Sequence, residues 1–189
     1  MAVPTDRERL AALLRQHSIR YGQFKLASGL ESSVYCDGKL TTCRAEAMPL
    51  VGRCFLDVFQ RHGWQPKAVG GLVIGADPIV ISIAAESNHH AAPVDAFLVR
   101  KEAKGHGTKK YIEGIEDFDG LPVVMIDDVC TTGGSTDLAI ERAQAAGMKV
   151  LGAVCLVDRE QGAPALFKEK YGLEFDCVFK LTELTEGRQ

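Results

Sequence analysis

Hydrophobic positions along the chain change their rhythm near Trp64. Ahead of it, Leu10, Leu13, Leu14 and His17 follow the capping-box pattern Thr5-Asp6-Arg7-Glu8 at helical spacing. This predicts a first helix from about Asp6 to about His17, docked by its leucine stripe. Phe24 and Leu26 then alternate with polar residues or Ala, and Ser28-Gly29 marks a turn, so the stretch from Tyr21 to Asp37 reads as a small β hairpin. Met48, Val51, Phe55, Val58 and Phe59 recur at intervals of three and four, predicting a second helix that ends at Gly63. Pro49 leaves its start open between Pro49 itself and a kinked helix beginning near Arg44. Beyond Pro66, strand and helix alternate. Strands are predicted at 68–74, 95–99, 123–127, 149–157 and 173–180, the last a candidate for the sheet edge, and helices at 79–88, 136–146 and 163–170. That alternation predicts an α/β fold with a doubly wound, mostly parallel sheet. Every strand of a parallel sheet ends on the same side, so the loops beginning at Gly75, Arg100, Asp128 and Asp158 should share one rim.

The stretch from Val123 to Thr136 carries the chemistry. Val123-Val124-Met125-Ile126 is an apolar run suited to a central strand covered on both faces. Asp127 and Asp128 follow it, and because burying two carboxylates without partners is costly, they are expected at the strand's carboxyl edge. In the loop Thr131-Thr132-Gly133-Gly134-Ser135, the glycines let backbone N–H groups converge on an anion and the hydroxyls add donors. A helix starting at Ser135 or Thr136 would add its positive end. A phosphate fits there, whereas the plain alternative is a strand end with an Asp cap and a turn. No G-x-x-x-x-G-K-S/T phosphate loop is present. The acidic pair also precedes the glycines, whereas in a dinucleotide site it would follow them by about 20 residues.

A second loop is basic. Arg100, Lys101, Lys104, His106, Lys109 and Lys110 crowd into eleven residues broken by Gly105 and Gly107, without hydrophobic periodicity, which predicts a mobile loop. Alone it could be a solvated connection, but its place on the same rim suits cations that close over a pyrophosphate. A nucleic-acid patch is disfavoured, since Tyr111 alone is available nearby for base stacking.

Composition narrows the class. The 189 residues are 46% hydrophobic and 25% charged, enough for one full core, and the formal net charge of -3 supplies no global field for nucleic acid. Cys36, Cys43, Cys54, Cys130, Cys155 and Cys177 show no C-x-x-C spacing, and Cys155 and Cys177 lie in apolar runs, so all read as reduced thiols of a cytoplasmic protein. Met1 to Leu10 has no apolar segment of the signal-peptide kind, and no run approaches the ~18 apolar residues of a membrane span.

The block Val123 to Ser135 resembles the signature of the type I phosphoribosyltransferases. Further segments resemble the orotate phosphoribosyltransferases among them: Phe24-x-Leu26-x-Ser28-Gly29-x-x-Ser32-x-x-Tyr35-x-Asp37, Gly75-Ala76-Asp77-Pro78, Arg100-Lys101-x-x-Lys104-x-His106-Gly107 with Ile112-Glu113-Gly114, and Val157-Asp158-Arg159-Glu160-x-Gly162. The resemblance implies a single domain over 1–189, with a helix and a small hood hairpin in 1–40 and a nucleotide-sugar-binding core in 64–160. It implies transfer of ribose 5-phosphate from phosphoribosyl pyrophosphate to orotate with Mg²⁺. Asp127 and Asp128 would hold the ribose hydroxyls, and the segment through Val129, Cys130, Thr131, Thr132, Gly133, Gly134 and Ser135 would bind the 5′-phosphate end. Arg100, Lys101, Lys104 and His106 would bind pyrophosphate, with Lys104 or His106 assisting its departure. Arg159, Lys25 and Tyr35 would surround the base. Mg²⁺ would be held mainly through pyrophosphate and ribose hydroxyls, with Asp77 a candidate ligand. A homodimer sharing the loop 100–114 across its interface is implied too. Two departures stand out: Ala27 and Gly75-Ala76-Asp77 lie where many relatives carry Lys, and Lys25 could reach the space left at position 27. A phosphoribosyltransferase for another base and a non-catalytic phosphoribosyl pyrophosphate sensor remain as alternatives.

Overall fold

The computed structural model describes residues 3–25, 31–103 and 110–186. Its N-terminal helix α1 (Asp6–Leu13) opens with the expected capping box, Thr5 and Glu8 exchanging hydrogen bonds, and continues into a π-helical turn at Leu14–Ser18. Leu10 and Leu14 are fully buried, so the leucine stripe docks as its spacing predicts. Strands β1 (Ile19–Lys25) and β2 (Glu31–Cys36) form the antiparallel hairpin. A one-turn helix α2 (Lys39–Thr42) precedes α3 (Met48–His62), in which Pro49 sits in the first turn, where its missing N–H leaves no intrahelical bond unmade. The start of the second helix is therefore settled at Met48, and Gly63, with φ 65°, ends it.

The remaining elements alternate as predicted, with a short strand and a final helix added. They are β3 (Ala68–Leu72), α4 (Asp77–Ser87), β4 (Asp95–Val99), β5 (Ile112–Glu113), β6 (Pro122–Cys130), α5 (Gly134–Ala145), β7 (Lys149–Asp158), α6 (Ala163–Tyr171), β8 (Glu174–Lys180) and α7 (Leu181–Thr185). Six strands build one sheet in the order β5-β4-β3-β6-β7-β8, parallel except for β5, with β8 at an edge. On one face Val124, Ile126 and Leu156 pack with Leu10 and Leu14 and with Phe55, Ile79 and Ile83 of α3 and α4. On the other, Val123, Met125 and Ala153 meet Ala139 and Ile140 of α5 and Phe167 of α6. Apolar cover on both faces is what a parallel sheet requires. All six cysteines are free. Among the described residues no helix is long and apolar enough to cross a membrane.

Where β6 meets α5 the boundaries differ from expectation. Helix α5 begins at Gly134, ahead of Ser135. Strand β6 continues past Asp127 through Asp128 and Val129 to Cys130, paired with β7 as far as Cys130 opposite Asp158.

Candidate active site

Because β6 runs on, Asp127 lies inside the strand, only 7% exposed, where an edge position was expected. Its burial is tolerated because both oxygens have donors: Thr136 Oγ1 donates to Oδ2 at 2.8 Å and the Asp128 N–H to Oδ1 at 3.0 Å. Burial first, and the adjacent Asp128 charge second, push its carboxyl up to about 7. Asp128 points to the other face of the strand and is partly exposed. Beyond Val129 and Cys130, whose side chains pack into the two cores, the chain turns through Thr131, Thr132 and Gly133 into α5. Gly133 has φ 93°, a left-handed conformation that favours glycine, and a side chain there would strike Phe167 at 2.8 Å. A Cβ at Gly134 would meet nothing within 4 Å, so Gly134 and exposed Ser135 leave the mouth of α5 open to a ligand. The carboxylate pair and the start of α5, whose N-terminus has the positive end that suits anions, thus lie on one continuous segment.

Neighbouring loops close around it. The Val73 N–H donates to the Val99 carbonyl at 2.9 Å, and the Arg159 N–H to the Cys130 carbonyl at 2.9 Å, tying the loops after β3, β4, β6 and β7 together on one rim as predicted. Gly75 lies so close to Asp128 that a Cβ there would stand 2.5 Å from Oδ1. Asp77 opens α4 beside this contact with a buried Oδ1 that has no partner, and burial together with the Asp128 charge raises its carboxyl.

Arg159 leaves the end of β7 only 9% exposed and reaches the hairpin, donating from Nη2 to Ser32 Oγ at 3.1 Å and to the Val34 carbonyl at 3.3 Å. Its Nε is buried without a partner. Ser32 also lines a recess of about 410 Å³ with Gln23, Phe24, Glu31 and Ser33. Tyr35, half exposed, pairs its ring with Phe24 at 5.4 Å. The Lys25 backbone pairs with Glu31 at the end of the hairpin away from Ile19 and Cys36.

The basic loop is held at its stems. The Arg100 N–H donates to the Tyr111 carbonyl at 2.8 Å, and the Arg100 guanidinium lies 3.7 Å from Glu113. Arg142 of α5 donates to the Lys101 carbonyl and stacks over the Tyr111 ring at 4.1 Å. Lys101 is exposed at the rim. Lys104 and His106, expected to meet pyrophosphate, lie outside the described residues, as does Ala27.

Comparison with known proteins decides the family. The phosphoribosyl transferase domain model matches residues 51–178. Over 180 residues the chain is 43% identical to the orotate phosphoribosyltransferase of Synechocystis sp., covering 95% of this chain and 89% of that one. The chain belongs to the orotate phosphoribosyltransferase family. In three dimensions it is similar to Mycobacterium tuberculosis orotate phosphoribosyltransferase in complex with Fe(III) dicitrate, with TM-score 0.83, 36% identity, and coverage of 95% of this chain and 99% of that one. The same enzyme in complex with 5-phospho-α-D-ribosyl 1-diphosphate superposes with TM-score 0.78 at 33% identity, covering 95% and 99%.

For an orotate phosphoribosyltransferase family member, the sequence reading omitted three residues. Thr136 was read only as a helix start, yet it is the partner that lets Asp127 be buried. Arg142, on an exposed helix face, gave no signal. Lys39, whose Nζ lies 2.9 Å from Asp37 Oδ1 and 3.6 Å from Asp128 Oδ2, stands two residues past the Tyr35-x-Asp37 motif, and that proximity was the available clue.

Proposed function

We propose that this chain is an orotate phosphoribosyltransferase, transferring ribose 5-phosphate from phosphoribosyl pyrophosphate to N1 of orotate with release of pyrophosphate. One observation carries the reading: a single rim joins a carboxylate pair, an open phosphate-type helix start and a buried Arg159 with a free Nε. Carboxylates accept hydrogen bonds from a diol, which suits Asp127 and Asp128 to the ribose hydroxyls. Backbone N–H groups at the mouth of α5, with the Thr131, Thr132 and Ser135 hydroxyls, suit the 5′-phosphate. Arg159 uses Nη2 on the hairpin and keeps Nε for the carboxylate or carbonyl edge of an anionic base held near the Ser32 recess.

In the reaction the bond from the anomeric carbon to pyrophosphate breaks as the bond to N1 forms; the departing oxygen takes the electron pair, and N1 gives up its proton to solvent. The anomeric carbon gains positive character in between, so cations must meet the charge growing on the leaving group. Arg100 and Lys101 stand at that rim, and Lys104 and His106 of the same loop are assigned to pyrophosphate, Lys104 as a permanent cation and His106 as a candidate acid. Among the described residues no cluster of three or more His, Cys, Asp or Glu could cage a metal, while Asp77 offers an unpartnered buried oxygen. Those residues fit a Mg²⁺ ion held mainly by substrate oxygens, which when bound would neutralise pyrophosphate charge. The family also supports a homodimer in which loop 100–114 of one protomer serves its partner's site. The test is orotate absorbance loss with phosphoribosyl pyrophosphate and Mg²⁺, run against uracil and hypoxanthine. Loss of orotate alone is expected, and turnover of another base in its place would overturn the assignment.

A further inference from the structure

We propose that Lys39 is a positioning residue that aims the Asp128 carboxylate at the ribose diol and joins the hairpin side of the site to the core. The role rests on the function proposed above. Asp77 and Asp127 each lie within reach of the Asp128 charge, and Lys39 is the one cation among the described residues paired with any of these three carboxylates. Each Asp128 oxygen is separately engaged. The Val129 N–H donates to Oδ1 at 2.9 Å, while Lys39 Nζ stands 3.6 Å from Oδ2. Gly75 presses on Oδ1 and Gly38 on the Cβ and Oδ2, so the plane of the carboxylate is bounded on two sides.

Lys39 is itself held in place. Its N–H donates to Asp37 Oδ1 at 3.1 Å and its Nζ lies 2.9 Å from the same oxygen, while the Asp37 N–H donates to the Ser18 carbonyl at 3.0 Å. Helix α2, which Lys39 begins, is anchored by the buried Ser18 and Thr41 hydroxyls, 2.6 Å apart. A cation on so fixed a turn sets direction as well as charge. Without it Asp128 would lean toward whatever donor water offers and would face the neighbouring carboxylates uncompensated.

The variants are Lys39→Met and Lys39→Arg, measured by calorimetric titration of phosphoribosyl pyrophosphate with Mg²⁺, by the KM for each substrate, and by melting temperature. Because the Lys39 side chain is 45% exposed, solvent screening limits the loss to about five- to tenfold in affinity for phosphoribosyl pyrophosphate. The KM for orotate should change less than about twofold, and Arg should restore binding, since it supplies the same charge with reach to Asp128. A Met variant that binds phosphoribosyl pyrophosphate like the unmodified protein would overturn the role. So would a loss that Arg fails to restore, or one shared equally with orotate. Failure of the unmodified protein to bind phosphoribosyl pyrophosphate would instead overturn the function on which the role rests.

Discussion

Replacing Asp127 with Asn should stabilise the substrate-free protein at alkaline pH while abolishing its activity. The change keeps shape and hydrogen bonding: the Asn oxygen can accept from the Asp128 N–H, and its amide can donate to the Thr136 hydroxyl, which turns to accept. What it removes is a buried charge. An unfolded Asp releases its proton near 3.8, whereas the folded Asp127 holds one up to about 7. Below pH 3.8 both states are protonated and nothing is lost. Between 3.8 and about 7 the native state binds more protons than the unfolded one, so stability falls as pH rises, and above about 7 the loss is complete. At about 1.4 kcal/mol per pH unit the interval allows roughly 4 kcal/mol, and relaxation around two adjacent carboxylates lowers the expected gain to about 2–4 kcal/mol. For a chain of this size that is roughly 5–10 °C in melting temperature. Thermal unfolding of both proteins at pH 5 and pH 8, without substrate or metal, reads the effect. The advantage of Asp127→Asn should widen from pH 5 to pH 8. A difference that stays constant or narrows would refute the assignment of a strained, buried carboxylate.

Arg159→Ala should raise the KM for orotate far more than that for phosphoribosyl pyrophosphate, by roughly 10²-fold or more for an unpaired buried anion, with Lys a poor substitute; equal losses in steady-state kinetics would reject Arg159 as the base reader. Arg142→Ala removes both the bond to the Lys101 carbonyl and the stack on Tyr111, so kcat should fall about tenfold with little change in melting temperature. An unchanged kcat would show that the loop stems are placed without it. Mixing inactive Lys104→Ala and Asp127→Asn proteins under subunit exchange should restore roughly a quarter of the sites if the loop serves the partner's site, and none if each loop serves its own chain.

Much of this fold is legible in local sequence because burial on both faces of a parallel sheet leaves unbroken apolar strands. The runs ending at Leu72, Val99 and Asp158 show it, and they bring their loops to one rim. The turn into α5 was legible too, since the left-handed conformation of Gly133 is a backbone property set within a few residues. What escaped depends on partners distant in the chain. Asp127 reads as the carboxyl edge of its strand, because its acceptor role toward Thr136 arises only after α5 has folded back. Strand β5 is two residues long and exists by pairing with Leu98 and Val99, so it carries no periodicity. Nothing near Arg159 in the sequence shows that its guanidinium bonds Ser32, 127 residues earlier. Lys39 sits on a single helical turn held by Ser18, which no helical pattern announces.

The activity proposed is group transfer at the rim built from Asp127, Gly134 and Arg159. Phosphorus NMR of the purified protein with phosphoribosyl pyrophosphate, orotate and Mg²⁺ tests it directly. Pyrophosphate and a nucleoside 5′-monophosphate should appear in equal amounts, and only when orotate is present. Pyrophosphate release that proceeds without orotate, leaving ribose 5-phosphate, or no release at all, would contradict it.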